Sequence, residues 1–170
     1  NELENMTSCR LVPYSNCAGT DFNNTNLSGM DLTGINFQNA NLRYANLEDA
    51  DLRNADLTDA NLRYANLTDA SLTYSDLRGA SFSYADLTDA SLYGADLTRA
   101  YFWRANLEGA DLSYADLRNA NLYSVDLEEA GLRNADLTNA DLSYADLTDA
   151  NLQYADLTNA DLSYADLTDA

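Results

Sequence analysis

Ala55-Asp56-Leu57-Thr58-Asp59-Ala60-Asn61-Leu62-Arg63-Tyr64 is two copies of one five-residue unit: a small residue, Asp or Asn, leucine, then two variable residues. The frame runs from Thr20 to Ala170 without insertion or deletion, thirty copies in all. Every fifth residue from Phe22 to Leu167 is Leu, except for Phe22, Phe37, Phe82 and Phe102. A period of five fits neither a helical face nor a strand. On an α-helix the leucines would drift around the axis, and the many Asp, Asn, Ser and Thr residues favour turns over helix interiors. A chain that turns once per unit points every Leu and every small residue inward, and four such turns close a square.

Composition alone would place the chain elsewhere. A formal net charge of −19, with Leu, Ile, Val and Phe at roughly a fifth of the residues, borders on the disordered class. A fixed apolar lattice overrules that reading. The length fits one domain, and no apolar run is long enough to span a membrane. There is no His and no Lys, and all nine cations are Arg. Nucleic acid and anionic membranes call for basic patches, so neither is expected as a direct ligand.

The unit Ala-(Asp/Asn)-Leu-x-x, over about nine-tenths of the chain, resembles the pentapeptide-repeat family. That resemblance implies an all-β fold, a right-handed quadrilateral parallel β-helix with twenty residues per coil. Residues 20–170 then make about 7.5 coils of four pentapeptides, a rod of about 36 Å at the usual interstrand spacing. Departures at the small inward site are Thr20, Thr25, Met30, Ile35, Ser75 and Val125. Four of the six, Thr20, Thr25, Met30 and Ile35, fall in the first coil, where a widening end or a cap is expected. Each buried Leu contributes about 1.5–3 kcal/mol relative to exposure, and no coil buries its leucines alone.

Residues 1–19 are expected to form an N-terminal cap, with Glu2 to Met6 as a short helical turn and Ser15 to Gly19 already in frame. A disulfide between Cys9 and Cys17 would staple this short segment, as in exported proteins; two reduced, buried thiols are the alternative. The first residue is Asn1, not Met, which fits a processed N-terminus. Relatives of this type occur in the periplasm or the thylakoid lumen, and the resemblance implies that placement, with the cytoplasm as alternative. No cap is evident at the C-terminal end, so either residues beyond 170 or another molecule is expected to cover the last coil, end-to-end self-association being one form of the second.

Sorting the outward residues by coil separates four faces. The face through units 45–49, 65–69, 85–89, 105–109, 125–129, 145–149 and 165–169 has thirteen acids and no Arg. Its members include Glu48, Asp49, Asp69, Asp86, Asp89, Glu108, Asp126, Glu128, Glu129, Asp146 and Asp149. The neighbouring face is free of acid from unit 40–44 to unit 120–124 and carries Arg43, Arg63 and Arg104. A third column stacks Asp56, Asp76, Asp96, Asp116, Asp136 and Asp156, with Arg78, Arg99 and Arg118 expected to soften their repulsion.

Asp at these positions is explained by hydrogen bonding to turn backbone, without calcium or any other cofactor. With no His, no glycine-rich phosphate loop and no base beside any Ser, an enzyme is not expected. The candidate site is Tyr84, Tyr101, Trp103, Arg104 and Tyr123, since Trp, Tyr and Arg dominate binding hot spots. The competing reading is that such tyrosines only stack coil on coil. The expected role is a non-enzymatic scaffold or interaction module for a protein partner not identified by any motif. The alternative implied by the resemblance is an acidic DNA mimic that binds DNA gyrase.

Overall fold

A computed structural model describes residues 9–170. The expected helical turn at Glu2–Met6 lies outside the described residues. Each residue at the Asp/Asn position forms a parallel bridge with the residue twenty positions on, from Asn16↔Asn36 to Asp146↔Asp166. The chain is therefore a coil of twenty residues and four turns. We number its sides I (units 40–44, 60–64 and onward), II (45–49), III (50–54) and IV (55–59). Sides I and III are opposite, as are II and IV.

The backbone of unit 60–64 shows why five residues suffice. Its N–H groups donate, in order, to Leu57 O at 2.9 Å, Ala40 O at 2.9 Å, Ser81 O at 2.8 Å, the Asn61 side-chain oxygen at 3.2 Å and Ser83 O at 3.2 Å. Three of these bonds reach the coils above and below, one closes the turn, and one uses the Asn61 side chain. Every donor is satisfied, as burial demands. Among the described residues the β structure is confined to single-residue bridges and does not lengthen into strands. A turn begins directly after each inward Leu, leaving one residue per side to pair.

The last residue of every unit, from Tyr14 to Asp169, has positive φ: twenty-six non-glycine residues at 53–62° and six glycines. This is the conformation required at the third residue of a type II turn. Asn, Asp and Gly tolerate it, but the nine tyrosines placed there pay a steric cost. Stacking between coils offsets that cost on side I, where Tyr44, Tyr64 and Tyr84 lie with ring centroids 4.9 Å apart. The frame reaches back to Tyr14, whose N–H donates to Thr33 O at 2.9 Å.

Inside, Leu27 to Leu147 and the facing small residues form one continuous buried column. Phe82 and Phe102 replace Leu on consecutive coils of side I and stack at 4.8 Å, both fully buried. Ser75 keeps the small site by donating its hydroxyl to Leu72 O at 2.6 Å. At the N-terminal end Cys17 takes the Leu site and is buried, and Leu11 and Cys9 pack against the core. Cys9 and Cys17 lie at disulfide distance, with Cα atoms 4.9 Å apart, within the span a disulfide bridges. Among the described residues no helix is long and apolar enough to cross a membrane.

Candidate interaction surface

The aromatic corner after side I is built by position. Tyr44, Tyr64 and Tyr84 share the last site of their units and stack nearly parallel. In the next coil that site holds Arg104, and the column steps sideways: Trp103 meets Tyr84 edge-on at 5.0 Å. The Arg104 guanidinium sits 5.5 Å from the Trp103 ring, in the range of a cation–π contact. Tyr123 pairs with Tyr144 at 5.3 Å, and Tyr144 with Tyr164 at 4.9 Å. The expected five-residue cluster is thus two columns. Tyr84, Trp103 and Arg104 are joined, whereas Tyr123 belongs to the column above.

Tyr101 joins neither column. It occupies the bridge site, where Asp or Asn normally accepts the N–H of the residue two positions on, as Asp96 accepts from Thr98 at 3.0 Å. With Tyr101 in place, the Trp103 N–H has no acceptor among the described residues. Tyr101 is 52% exposed and Trp103 38%. Of the twelve tyrosines, Tyr101 alone has, among the described residues, no stacking ring, no arginine over it and no glycine beneath it.

A second aromatic ladder lies after side III, diagonally across the coil, and sequence reading missed it. Tyr74, Tyr93 and Tyr114 contact one another at 5.6 and 5.3 Å. They alternate between the last and fourth sites of their units, so no single column contains them. Gly94 provides a signal, because a Cβ there would collide with the Tyr74 ring. The same device lays Tyr14 over Gly34.

The two acidic faces differ in their pairing. On side IV, Arg78 joins Asp76 and Asp96, and Arg118 joins Asp116 and Asp136. The Arg118 hydrogen bond holds the Asp116 carboxyl below its ordinary value. At Asp76, burial pushes upward but the Arg78 bonds outweigh it, and the net shift is again downward. Arg99, expected to help here, makes no ion pair among the described residues.

On side II no carboxylate has a cationic partner among the described residues. Asp86 and Asp146 hold their turns, each accepting from the backbone and hydroxyl of a threonine. Glu128 is pushed above its ordinary value by desolvation and then by the charges of Glu108, Asp126, Asp146 and Glu129.

A four-cornered coil whose interior is uniform and whose chemistry is confined to outward sites is a repeat solenoid. The family model described as Pentapeptide repeats matches it in overlapping copies that together cover residues 13–170. The chain belongs to the pentapeptide-repeat family. It is similar to a pentapeptide repeat protein from the Arabidopsis thaliana thylakoid lumen, with 33% identity over 59% of this chain and 70% of that one and a TM-score of 0.58. HetL from the cyanobacterium Nostoc, involved in heterocyst differentiation regulation, is 31% identical over 99% of this chain and 90% of its own, with a TM-score of 0.43. Full-length QnrB1, a plasmid-mediated fluoroquinolone resistance protein, shares the fold with a TM-score of 0.51 at 19% identity, over 95% and 87% of the two chains. No curated protein matches the chain in sequence.

Proposed function

We propose that this protein is a non-enzymatic interaction scaffold, a right-handed β-helix that presents Tyr101, Trp103 and Arg104 to a protein partner. The observation that carries this reading is Tyr101. It replaces a turn-holding Asp or Asn, gives up a hydrogen bond worth about 0.5–1.5 kcal/mol, and leaves its ring in solvent. Ser71, Ser81, Ser91 and Gly131 also leave the N–H two positions on without this bond among the described residues. Tyr101 alone of the bridge sites puts a large exposed ring there, and such a departure with no structural gain marks a functional position. The other tyrosines are accounted for by stacking, glycine cover or arginine contact.

Tyr101→Asn restores the turn acceptor, so it separates the two roles. It is expected to raise the melting temperature while lowering partner capture from a native extract, and Trp103→Ala is expected to deepen that loss. Capture unaffected by the double variant would sink the proposal. Export to the periplasm or thylakoid lumen is part of the same reading, supported by the Cys9–Cys17 pair and the lumenal relative. A thiol-labelling assay on the protein from its native compartment checks it, with both cysteines expected to be unreactive until reduced.

One observation favours the second reading, an acidic mimic of DNA that binds gyrase: the carboxylates of side II have no cationic partner among the described residues. A supercoiling assay in which the protein neither inhibits gyrase nor protects it would remove that reading.

A further inference from the structure

We propose that Tyr64 and Tyr84 form an oxidative modification site, at which two one-electron oxidations join the rings as a dityrosine between adjacent coils. The two residues occupy the same corner site one coil apart, held in register by the Asn61↔Ser81 bridge. Their rings are stacked, 4.9 Å apart and within 4° of parallel. Tyr44 stacks on Tyr64 less evenly, at 16°, and its oxygen accepts a hydrogen bond from Arg43 at 3.2 Å. The hydroxyls of Tyr64 and Tyr84 have no protein partner among the described residues. Tyr64 is 36% exposed, which leaves its edge open to an oxidant in solution.

The chemistry balances with two equivalents of a one-electron oxidant, such as a photogenerated radical or a peroxidase-type intermediate. Each phenol gives one electron to the oxidant and its hydroxyl proton to water. The two phenoxyl radicals then form a carbon–carbon bond between ring positions ortho to the hydroxyls. Each bonded carbon releases its hydrogen as a proton while each oxygen takes one up, which restores two phenols. The net loss is two electrons and two protons.

Free tyrosyl radicals must diffuse together, whereas these are already in contact, and such positioning converts a bimolecular step into an effectively unimolecular one. The product would staple two coils covalently on the outside of the rod.

Photo-oxidation of the full chain with a ruthenium tris-bipyridyl sensitiser and persulfate tests this, read by dityrosine emission and peptide mapping. The expected product links Tyr64 to Tyr84 within a chain of monomer mass, at a yield per chain unchanged by dilution. Tyr64→Phe keeps the stacked ring but is expected to reduce that product to background. A Tyr144–Tyr164 product, from the stacked pair outside this column (4.9 Å, 16°), should persist in the variant and shows that the oxidant acted. Links found only between chains, or oxidation that consumes tyrosine without joining Tyr64 to Tyr84, would overturn the proposal.

Discussion

Units 60–64 and 100–104 lie on the same side of the rod, two coils apart. Inside they are alike: Ala60 and Ala100 fill the small site, Leu62 and Phe102 the large one, and all four are buried. Outside they have nothing in common. Asn61, Arg63 and Tyr64 close a turn and extend an aromatic column, whereas Tyr101, Trp103 and Arg104 lose the turn acceptor and interrupt the column. The difference teaches that inward sites answer to packing and outward ones do not. The backbone ladder holds either unit in place, so outer residues are free to depart from the repeat.

Substitutions can break or sharpen this comparison. Phe102→Ala should have the largest effect, a loss of about 3–5 kcal/mol, because it empties the inner site and unstacks Phe82. Chemical denaturation measures it, and a loss below that of an exposed substitution would contradict the assigned interior. Ala95→Leu and Ala100→Leu should each cost about 1–3 kcal/mol by overpacking, while Thr98→Leu, on the outer surface, changes stability by roughly 0.5 kcal/mol at most. Equal melting temperatures for the inner and outer variants would refute the register.

Exchanging the bridge residues should then show opposite signs. Tyr101→Asn gains, and Asn61→Tyr loses, about 0.5–1.5 kcal/mol through the turn hydrogen bond.

The smallest expected effect is electrostatic. Glu128 lies above its ordinary value of 4.5 in the folded chain, so the folded state binds the proton more tightly than the unfolded one. Its contribution therefore turns unfavourable as pH rises from 4.5 through the raised folded value. Glu128→Gln should raise the melting temperature near neutral pH in low salt, with the gain vanishing below pH 4.5 and shrinking as salt screens the charges. Asp76 and Asp116 have the opposite sign. Their carboxyls are depressed below 3.8, so the stability they add is present above 3.8 and is lost as pH falls through their folded values.

The interior was readable because it repeats: Leu57, Leu77 and Leu97 recur at a fixed spacing, and burial follows from spacing alone. The Asp residues were readable as turn holders for the same reason, since Asp56 and Thr58 lie two positions apart and form their bonds locally. The candidate site was legible only in part. Trp103 and Arg104 are neighbours in sequence and meet in space, but Tyr123 turned out to pair with Tyr144 rather than with Trp103. Tyr74, Tyr93 and Tyr114 are separated by 19 and 21 residues, off the twenty-residue step, and their contact depends on how each side chain leans across a corner.

By itself, then, the sequence determined the period, the inward and outward assignment of the residues in the repeat, and the segregation of charge among four sides. Those properties depend on covalent order and on the burial of Leu and Ala. Only the tertiary structure decided which outer side chains touch. It put Arg78 and Arg118 between pairs of Asp residues, left Arg99 and the side II acids without ion-pair partners among the described residues, and left Tyr101 half-exposed. Contacts between coils are set by rotamers and by the space that a glycine or a turn opens in the next layer, and a linear repeat specifies neither.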